Sequence, residues 1–273
     1  MNAIPSMLDH YLARFLEAAD RDNGDLQHGE QLQRLIDEYG AWITAPEQRL
    51  AWELLDAPAL VVAEPLILQL RDASARCVAR MEKIRARRLL ASGDAPHDYF
   101  RNIEASIEEE FGRFAQTPVT EVVLVGSGSF PMTPLLIAQR TGARVVGIDV
   151  DKEAIELGRQ VVDRLGPGLP IRLEHTTLDR LAGIGSASHV IFSSTVSVKY
   201  QLLDWLYGAA RQDAVVIMRY GNGLKSLFNY PMEDTDSRKW ELVETTVRPE
   251  HIFDVAVYRK ALVPASLMEG GSR

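Results

Sequence analysis

The chain predicts an α/β fold: a mostly parallel sheet covered by helices on both faces, with an all-helical domain in front of it. Two observations carry that expectation. Through residue 117 the apolar residues recur at helical spacing, and from Glu121 the rhythm changes to short apolar strands alternating with helical stretches.

In "SMLDHYLARFLEAAD" Leu8, Tyr11, Leu12, Phe15, Leu16 and Ala19 share one helical face, and "EQLQRLIDEYGAWI" repeats the pattern with Leu32, Leu35, Ile36 and Tyr39. Pro46 opens a third helix, because its missing N–H costs nothing at the first helical position. Pro65 is expected to open a longer helix through "LILQLRDASARCVARMEKIRARRLLAS", stopped by Gly93. A last helix covers "PHDYFRNIEASIEEEFGRFA", and Thr117-Pro118 breaks it. The expected domains are therefore 1–117, helical, and 118–273, built on the sheet. Strands are predicted at 121–126, 144–149, 171–175, 189–194 and 214–219, with helices near 132–140, 152–165 and 199–211. The final pair, "KWELVETTV" and "FDVAVYRKALV", reads as an antiparallel hairpin at the sheet's edge, and "EGGSR" as a loose tail.

Composition narrows the function. With 46% hydrophobic and 25% charged residues over 273 positions, the chain reads as an ordinary soluble protein. A formal charge of −8 argues against a general nucleic-acid binder, which neutralises phosphates with Lys and Arg. "RMEKIRARR" packs five cations into nine positions but sits toward a helix C-terminus, where a solvated basic face is expected. Cys77 is the only cysteine and the six histidines are scattered, so no metal is expected. No signal-type segment and no run of eighteen apolar residues is present, which points to the cytoplasm and to no membrane.

The chemistry starts at "EVVLVGSGSFPMTPLLIAQRTGARVVGIDVD". A strand delivers Gly126, Ser127 and Gly128 to the sheet's carboxyl edge, where glycines admit a ligand close to the backbone and the next helix offers unpaired N–H groups. Asp149 ends the second strand 21 residues later, placed to accept both hydroxyls of a ribose. Strand, G-x-G and terminal acid make a Rossmann-like site for an adenosine-containing ligand. Phe130-Pro131 occupies the place of the third glycine that a dinucleotide's pyrophosphate requires, so S-adenosylmethionine is preferred over a nicotinamide cofactor. A plain strand–turn–helix with an incidental aspartate is the bland alternative.

Three stretches resemble the nicotianamine synthase family. "VGSGSFPMTPLLIA" is similar to its "VGSGPLPLTS", "RYGNGLKSLFNYP" to its "RSAHGARAFLYP", and "RNIEASIEEEF" to its helix containing "NLE". The order agrees from Tyr99 to Pro231, and the length looks most like the bacterial branch that builds opine metallophores such as staphylopine and pseudopaline. The resemblance implies transfer of the 3-amino-3-carboxypropyl (2-aminobutanoyl) group of S-adenosylmethionine to the amine of histidine, leaning to L-histidine, with release of methylthioadenosine. It also implies a Rossmann-like S-adenosylmethionine-dependent transferase sheet behind the helical domain. Two departures stand out: the family's "HTAD" reads "HTTL" here, with Leu178 in place of the aspartate, and its "SAH" becomes Tyr220-Gly221-Asn222.

On that reading the cofactor-binding set is Gly126, Ser127, Gly128, Ser129 and Phe130 in the loop, and Asp149 and Val150 after the second strand. Thr177 and Leu178 lie near the adenine, chiefly through backbone, and Ser193 and Ser194 end the fourth strand. The two serines have a rival reading as hydroxyls that bond local backbone. An ammonium has no lone pair, so the acceptor needs a base. Glu104 flanks an apolar stripe of Phe100, Ile103, Ile107, Phe111 and Phe114, where partial desolvation raises a carboxylate's pKa; periodicity alone favours a flank residue that reaches water, and the resemblance to the "NLE" glutamate reverses that. Tyr99, five residues earlier, is read as pointing into the same cleft, with a core tyrosine as the rival reading. Arg219 is read as a bidentate clamp for a substrate carboxylate, or else half of a structural ion pair. Tyr220 and Asn222 shape the acceptor pocket, and His175 is structural. An S-adenosylmethionine-dependent methyltransferase is the main rival, and a nucleotide-dependent reductase or a noncatalytic sensor stands behind it. A homodimer is expected from the broad apolar helices, and the helical domain is expected to cover the sheet's edge and exclude water.

Overall fold

The computed structural model describes residues 3–20, 26–92 and 118–261. The predicted helix at 96–115, with Tyr99 and Glu104, and the tail lie outside the described residues. Four helices come first: α1 (Ala3–Asp20), α2 (Leu26–Thr44), α3 (Pro46–Glu53, with Pro46 in its first turn) and α4 (Ala57–Ser92). Tyr11, Phe15, Tyr39 and Trp42 interlock at the centre of this layer, with Tyr11 and Tyr39 ring centroids 4.9 Å apart.

Helix α4 corrects the sequence reading at Pro65. It begins eight residues earlier, at Ala57, where Asp56 Oδ1 accepts the Ala59 N–H at 2.9 Å, and Pro65 lies inside it. Proline removes one helical hydrogen bond, the one to the carbonyl of Val61. Val61 is exposed, so water can serve that carbonyl, while Leu60, Ala63, Leu66 and Ile67 pack on the helical core and hold the turn in place. The basic run is also not a solvated face. Arg80 donates to the Ala19 carbonyl at 2.6 Å, Arg85 bonds Gln33, Lys83 pairs with Asp151 (2.6 Å) and Glu153 (2.8 Å), and Arg87 pairs with Glu153. Four of the five cations therefore tie α4 to its neighbours.

The second part is a Rossmann-like seven-stranded sheet in the order β3-β2-β1-β4-β5-β7-β6. Its strands are β1 (Glu121–Val125), β2 (Arg144–Asp149), β3 (Ile171–His175), β4 (His189–Phe192), β5 (Val215–Tyr220), β6 (Trp240–Thr246) and β7 (Asp254–Lys260). The first five are parallel; β7 runs antiparallel between β5 and the edge strand β6, as the expected hairpin requires. Helix α5 (Met132–Thr141) follows β1, α6 (Lys152–Leu165) follows β2, and α7 (Leu202–Ala209) follows β4. The fourth strand stops at Phe192, two residues short of expectation, and α7 starts three residues late; Ser193 to Gln201 form the turn between them. Strands β4 and β5 are buried at every position, as interior parallel strands with both faces covered must be.

One face of the sheet packs Val122, Leu124, Ile191 and Ile217 against α5 and α6, joined by Ala86 and Leu89 of α4. The other packs Val123, Phe192 and Met218 against α7 and Trp240. A third core fills the helical layer and includes Leu224, Leu227 and Phe228, which follow β5. The helices thus share a core with a loop of the sheet. That loop is fixed at its base by the buried ion pair of Lys225 and Asp254 (2.5 Å) and by Asn229, which donates to the Lys225 and Ile252 carbonyls.

Candidate active site

The strand order reverses between β1 and β4, and a ligand crevice forms beyond the carboxyl ends of strands at such a point. Two loops flank it: Gly126–Pro131 after β1 and Ser193–Gln201 after β4. Gly126 and Gly128 both adopt left-handed backbone, with φ of 83° and 65°. A side chain at Gly126 would also meet Val196 at 2.9 Å, so the first loop can lie flat against the second only without one.

Asp149 ties β2 to this loop. Its Oδ2 accepts the Gly128 N–H at 2.9 Å and its Oδ1 accepts the Asp151 N–H at 3.0 Å. Each carboxylate oxygen keeps further acceptor capacity for a ribose hydroxyl. Val150 stands exposed beside it. Ser127 and Ser129 are buried, and their hydroxyls have no hydrogen-bond partner. A buried hydroxyl in that state is costly, and here two of them bracket Gly128 in the loop after β1. Phe130, by contrast, turns its ring into the core that contains Ala86 and Leu89. Leu178 is likewise a core residue, whereas Thr177 is exposed at the start of the turn after β3. His175 bonds the Val150 carbonyl at 3.1 Å, the structural role expected for it.

On the β4 side, Ser193 Oγ donates to the Gly126 carbonyl at 2.8 Å, closing the two loops on each other. Its hydroxyl is thus spent on backbone, though on that of the neighbouring loop rather than on local backbone. The Ser194 carbonyl accepts the Tyr230 N–H at 3.0 Å. Arg219 is nearly buried: Nη1 donates to Thr133 Oγ1 at 3.2 Å and its guanidinium stacks 5.1 Å over Phe253. Tyr220 packs its ring into the sheet core, and burial there, reinforced by Asp254, raises its pKa. Asn222 spends its Oδ1 on the Met232 N–H, 2.9 Å, which closes the turn after β5. The structure thus gathers Gly126 to Ser129, Asp149, Ser193 and Ser194 at the carboxyl ends of β1, β2 and β4, and puts the rings of Phe130 and Tyr220 and the side chain of Leu178 into packing.

Three residues absent from the sequence reading stand at the same rim. Lys199 is fully buried, and its ammonium donates to the carbonyls of Arg219 (2.7 Å), Ser194 (3.2 Å) and Tyr230 (3.4 Å). Burial pulls its pKa down to about 7, with Glu233 opposing the shift and Arg71 adding to it. Glu82 reaches from α4 to the loop, where its Oε2 occupies the space that a side chain at Gly128 would need. Arg71, further back on α4, donates Nε to the Ser226 carbonyl at 2.7 Å. Residues 71 and 82 are eleven apart, which returns to within about 20° on a helical wheel and spans about 16 Å. That stripe was available to a helical-wheel reading; Lys199 had no periodic signal to mark it. Among the described residues no cluster of three or more His, Cys, Asp or Glu is placed to hold a metal, and no helix is long and apolar enough to cross a membrane.

No protein-family model matches the chain. It is 30% identical over 235 residues to an L-histidine 2-aminobutanoyltransferase of Pseudomonas aeruginosa strain UCBPP-PA14, covering 85% of this chain and 87% of that protein. A relative of the same description from Yersinia pestis is 32% identical over 167 residues, 60% of this chain and 62% of the relative. Among solved structures, a mutant of MtNAS, a nicotianamine synthase, superposes with a TM-score of 0.74 at 16% identity, over 94% of this chain and 98% of that one. MtNAS in complex with MTA and tNA gives 0.72, also at 16% identity. These structures bear on the fold, which covers the helical layer and the sheet together.

Proposed function

From the premise that the chain belongs to the family of the L-histidine 2-aminobutanoyltransferases, we propose that it moves the 2-aminobutanoyl group of S-adenosylmethionine onto the amine of L-histidine. The product is a nicotianamine-like precursor of an opine metallophore. The observation that carries this reading is the match across 85% of the chain to relatives of that description. The G-S-G-S loop with its two unpartnered hydroxyls supports it, since it offers a phosphate-free nucleoside close backbone contact and polar partners.

In the reaction the amine nitrogen of the acceptor attacks the methylene next to sulfur on the amino-acid arm. The carbon–sulfur bond breaks, methylthioadenosine leaves with the electron pair, and the nitrogen gives up a proton. Transfer of this arm rather than the methyl is decided by which carbon lies in line with the nitrogen. Gly126, Ser127, Gly128, Ser129 and Asp149 are assigned to the nucleoside and its ribose, with Val150 and the backbone at Thr177–Leu178 beside the adenine. Ser194 faces the amino-acid arm, and Ser193 acts by holding the two loops together. Arg219, with Tyr220 and Asn222 behind it, supports the acceptor side. Among the described residues nothing in this set calls for a metal, and the chelating metal is assigned to the final metallophore.

Incubation with S-adenosylmethionine and either histidine enantiomer, followed by mass analysis, tests the reading. Methylthioadenosine and an aminobutanoyl-histidine made from the L form are expected; S-adenosylhomocysteine would mean a methyltransferase instead. For the proton, Glu104 is assigned as base from the resemblance, with Tyr99 beside it. Glu82 is the second reading, favoured by its place over Gly128. Loss of a general base costs on the order of 10²- to 10⁴-fold. Glu104→Gln is expected to retain S-adenosylmethionine binding and lose turnover on that scale; if Glu82→Gln alone behaves so, the role passes to Glu82. We further propose a cytoplasmic homodimer that meets through the bare surface at the turn before α4 and its first turns, at Leu54, Val61 and Val62.

A further inference from the structure

We propose that Arg71 of α4 anchors the α-carboxylate of an amino-acid substrate, an assignment that rests on the aminobutanoyl-transfer reading. Both reactants, the acceptor and the arm of S-adenosylmethionine, carry such a group. Arg71 is 7% exposed. Its Nε is spent on the Ser226 carbonyl at 2.7 Å, and its guanidinium carbon stands 5.0 Å over the Tyr230 ring. Those two contacts fix the plane of the fork and leave Nη1 and Nη2 without an acceptor among the described residues. Neither is among the fully sealed, unpartnered polar atoms of the interior.

No carboxylate faces Arg71 among the described residues. Lys225, equally buried, has Asp254 at 2.5 Å. Tyr230 and Tyr39 face it and favour its charge, and Arg71 in turn disfavours the charge of Lys199. Burial weakens the hold of Arg71 on its proton, yet a guanidinium remains charged in the working range. A buried cation lacking a counter-charge resembles a buried ion pair with one partner removed, which a fold does not keep without cause. Two parallel N–H groups in a fixed plane match a carboxylate bidentately.

Position supports the same assignment. Tyr230, under the guanidinium, bonds through its N–H to the carbonyl of Ser194 and through its own carbonyl to the ammonium of Lys199 and the N–H of Gly221. Arg71 therefore stands over the β4–β5 side of the crevice, while Glu82, on the same stripe of α4, stands over the nucleoside loop after β1. One helix then carries a cation for the acid end of an amino acid and a carboxylate near the other end of the site.

Calorimetric titration of wild type and Arg71→Gln with two ligand pairs tests this. The first pair is histidine and histidinamide, titrated with methylthioadenosine saturating; the second is S-adenosylmethionine and its decarboxylated analogue. Wild type is expected to prefer the acid of at least one pair by about 10- to 100-fold, the range for a hydrogen bond to a charged group. Arg71→Gln should lose that preference, Arg71→Lys should restore part of it, and the pair affected identifies the substrate whose carboxylate is held. A variant that binds all four ligands more weakly but keeps both preferences would make Arg71 a purely structural residue and end the proposal. So would a wild type with no preference in either pair. If wild type forms no methylthioadenosine from histidine, the transfer reading fails, and the S-adenosylmethionine pair still reads Arg71 by itself.

Discussion

A lysine with no carboxylate at its ammonium is held at the rim by three backbone carbonyls, and that choice has a thermodynamic signature. Lys199 is pulled to about 7 in the fold from an ordinary value of 10.5. Between those values the unfolded chain binds more protons than the native one, so this residue makes stability rise with pH across that window. The melting temperature of wild type relative to Lys199→Met should accordingly climb between pH 7 and pH 9; a constant difference would mean that the site does not titrate there. His189 works in the same direction at lower pH: buried, and beside Arg259 and Arg211, it falls to about 4, so stability is lost as pH drops from 6.5. At this scale the sequence was legible where backbone geometry decides. Gly126, Gly128 and Asp149 could be placed from strand, spacing and φ preference alone. Side chains whose roles depend on what crosses over them could not: Phe130 and Tyr220 sit next to functional loops in sequence yet turn inward, while Arg71 and Glu82 come from a helix far upstream.

Helix α4 shows the same limit for whole elements. Pro65 reads as a helix start, because local chemistry favours proline in a first turn. Tertiary packing of Leu60, Leu66 and Ile67 overrides it and carries the helix through. The opening turns of α4 are apolar nearly all round, and a helix of that kind is normally covered on every side. Here Val61 and Val62 are 68% and 81% exposed, and Leu54 of the preceding turn 83%. If two copies close that face, Val62→Lys should shift the sedimentation coefficient to that of a monomer with the melting temperature little changed. An unshifted dimer would move the interface elsewhere, and a monomeric wild type would remove it. The sheet, by comparison, was readable almost strand by strand, because a switch from helical to alternating rhythm needs no knowledge of the partner surface. What could not be read was the exact end of β4, where Lys199 draws the chain into a turn through its bond to the Ser194 carbonyl.

For the molecule as a whole, the helical layer meets the sheet at two places: the last turns of α4, with Ala86 and Leu89 in the sheet core and Lys83 and Arg87 paired to α6, and the turn after β5. Tyr39 donates to its Leu227 carbonyl at 2.9 Å, Arg71 to its Ser226 carbonyl, and Leu224, Leu227 and Phe228 complete the helical core. A fragment of residues 118–261 would leave those three side chains uncovered, at about 1.5–3 kcal/mol of lost burial for each. It should bind a hydrophobic dye and unfold at lower temperature than the whole chain; a fragment as stable as the full protein would show that the shared core is dispensable. The shared turn also sets a schedule for synthesis. Its contacts with Arg71 and Tyr39 join positions 155 and 188 residues apart. A ribosome adding about 5–20 residues per second needs roughly 10–40 s to cover that distance. Through that interval the nascent helices wait for the side chains that complete their apolar socket.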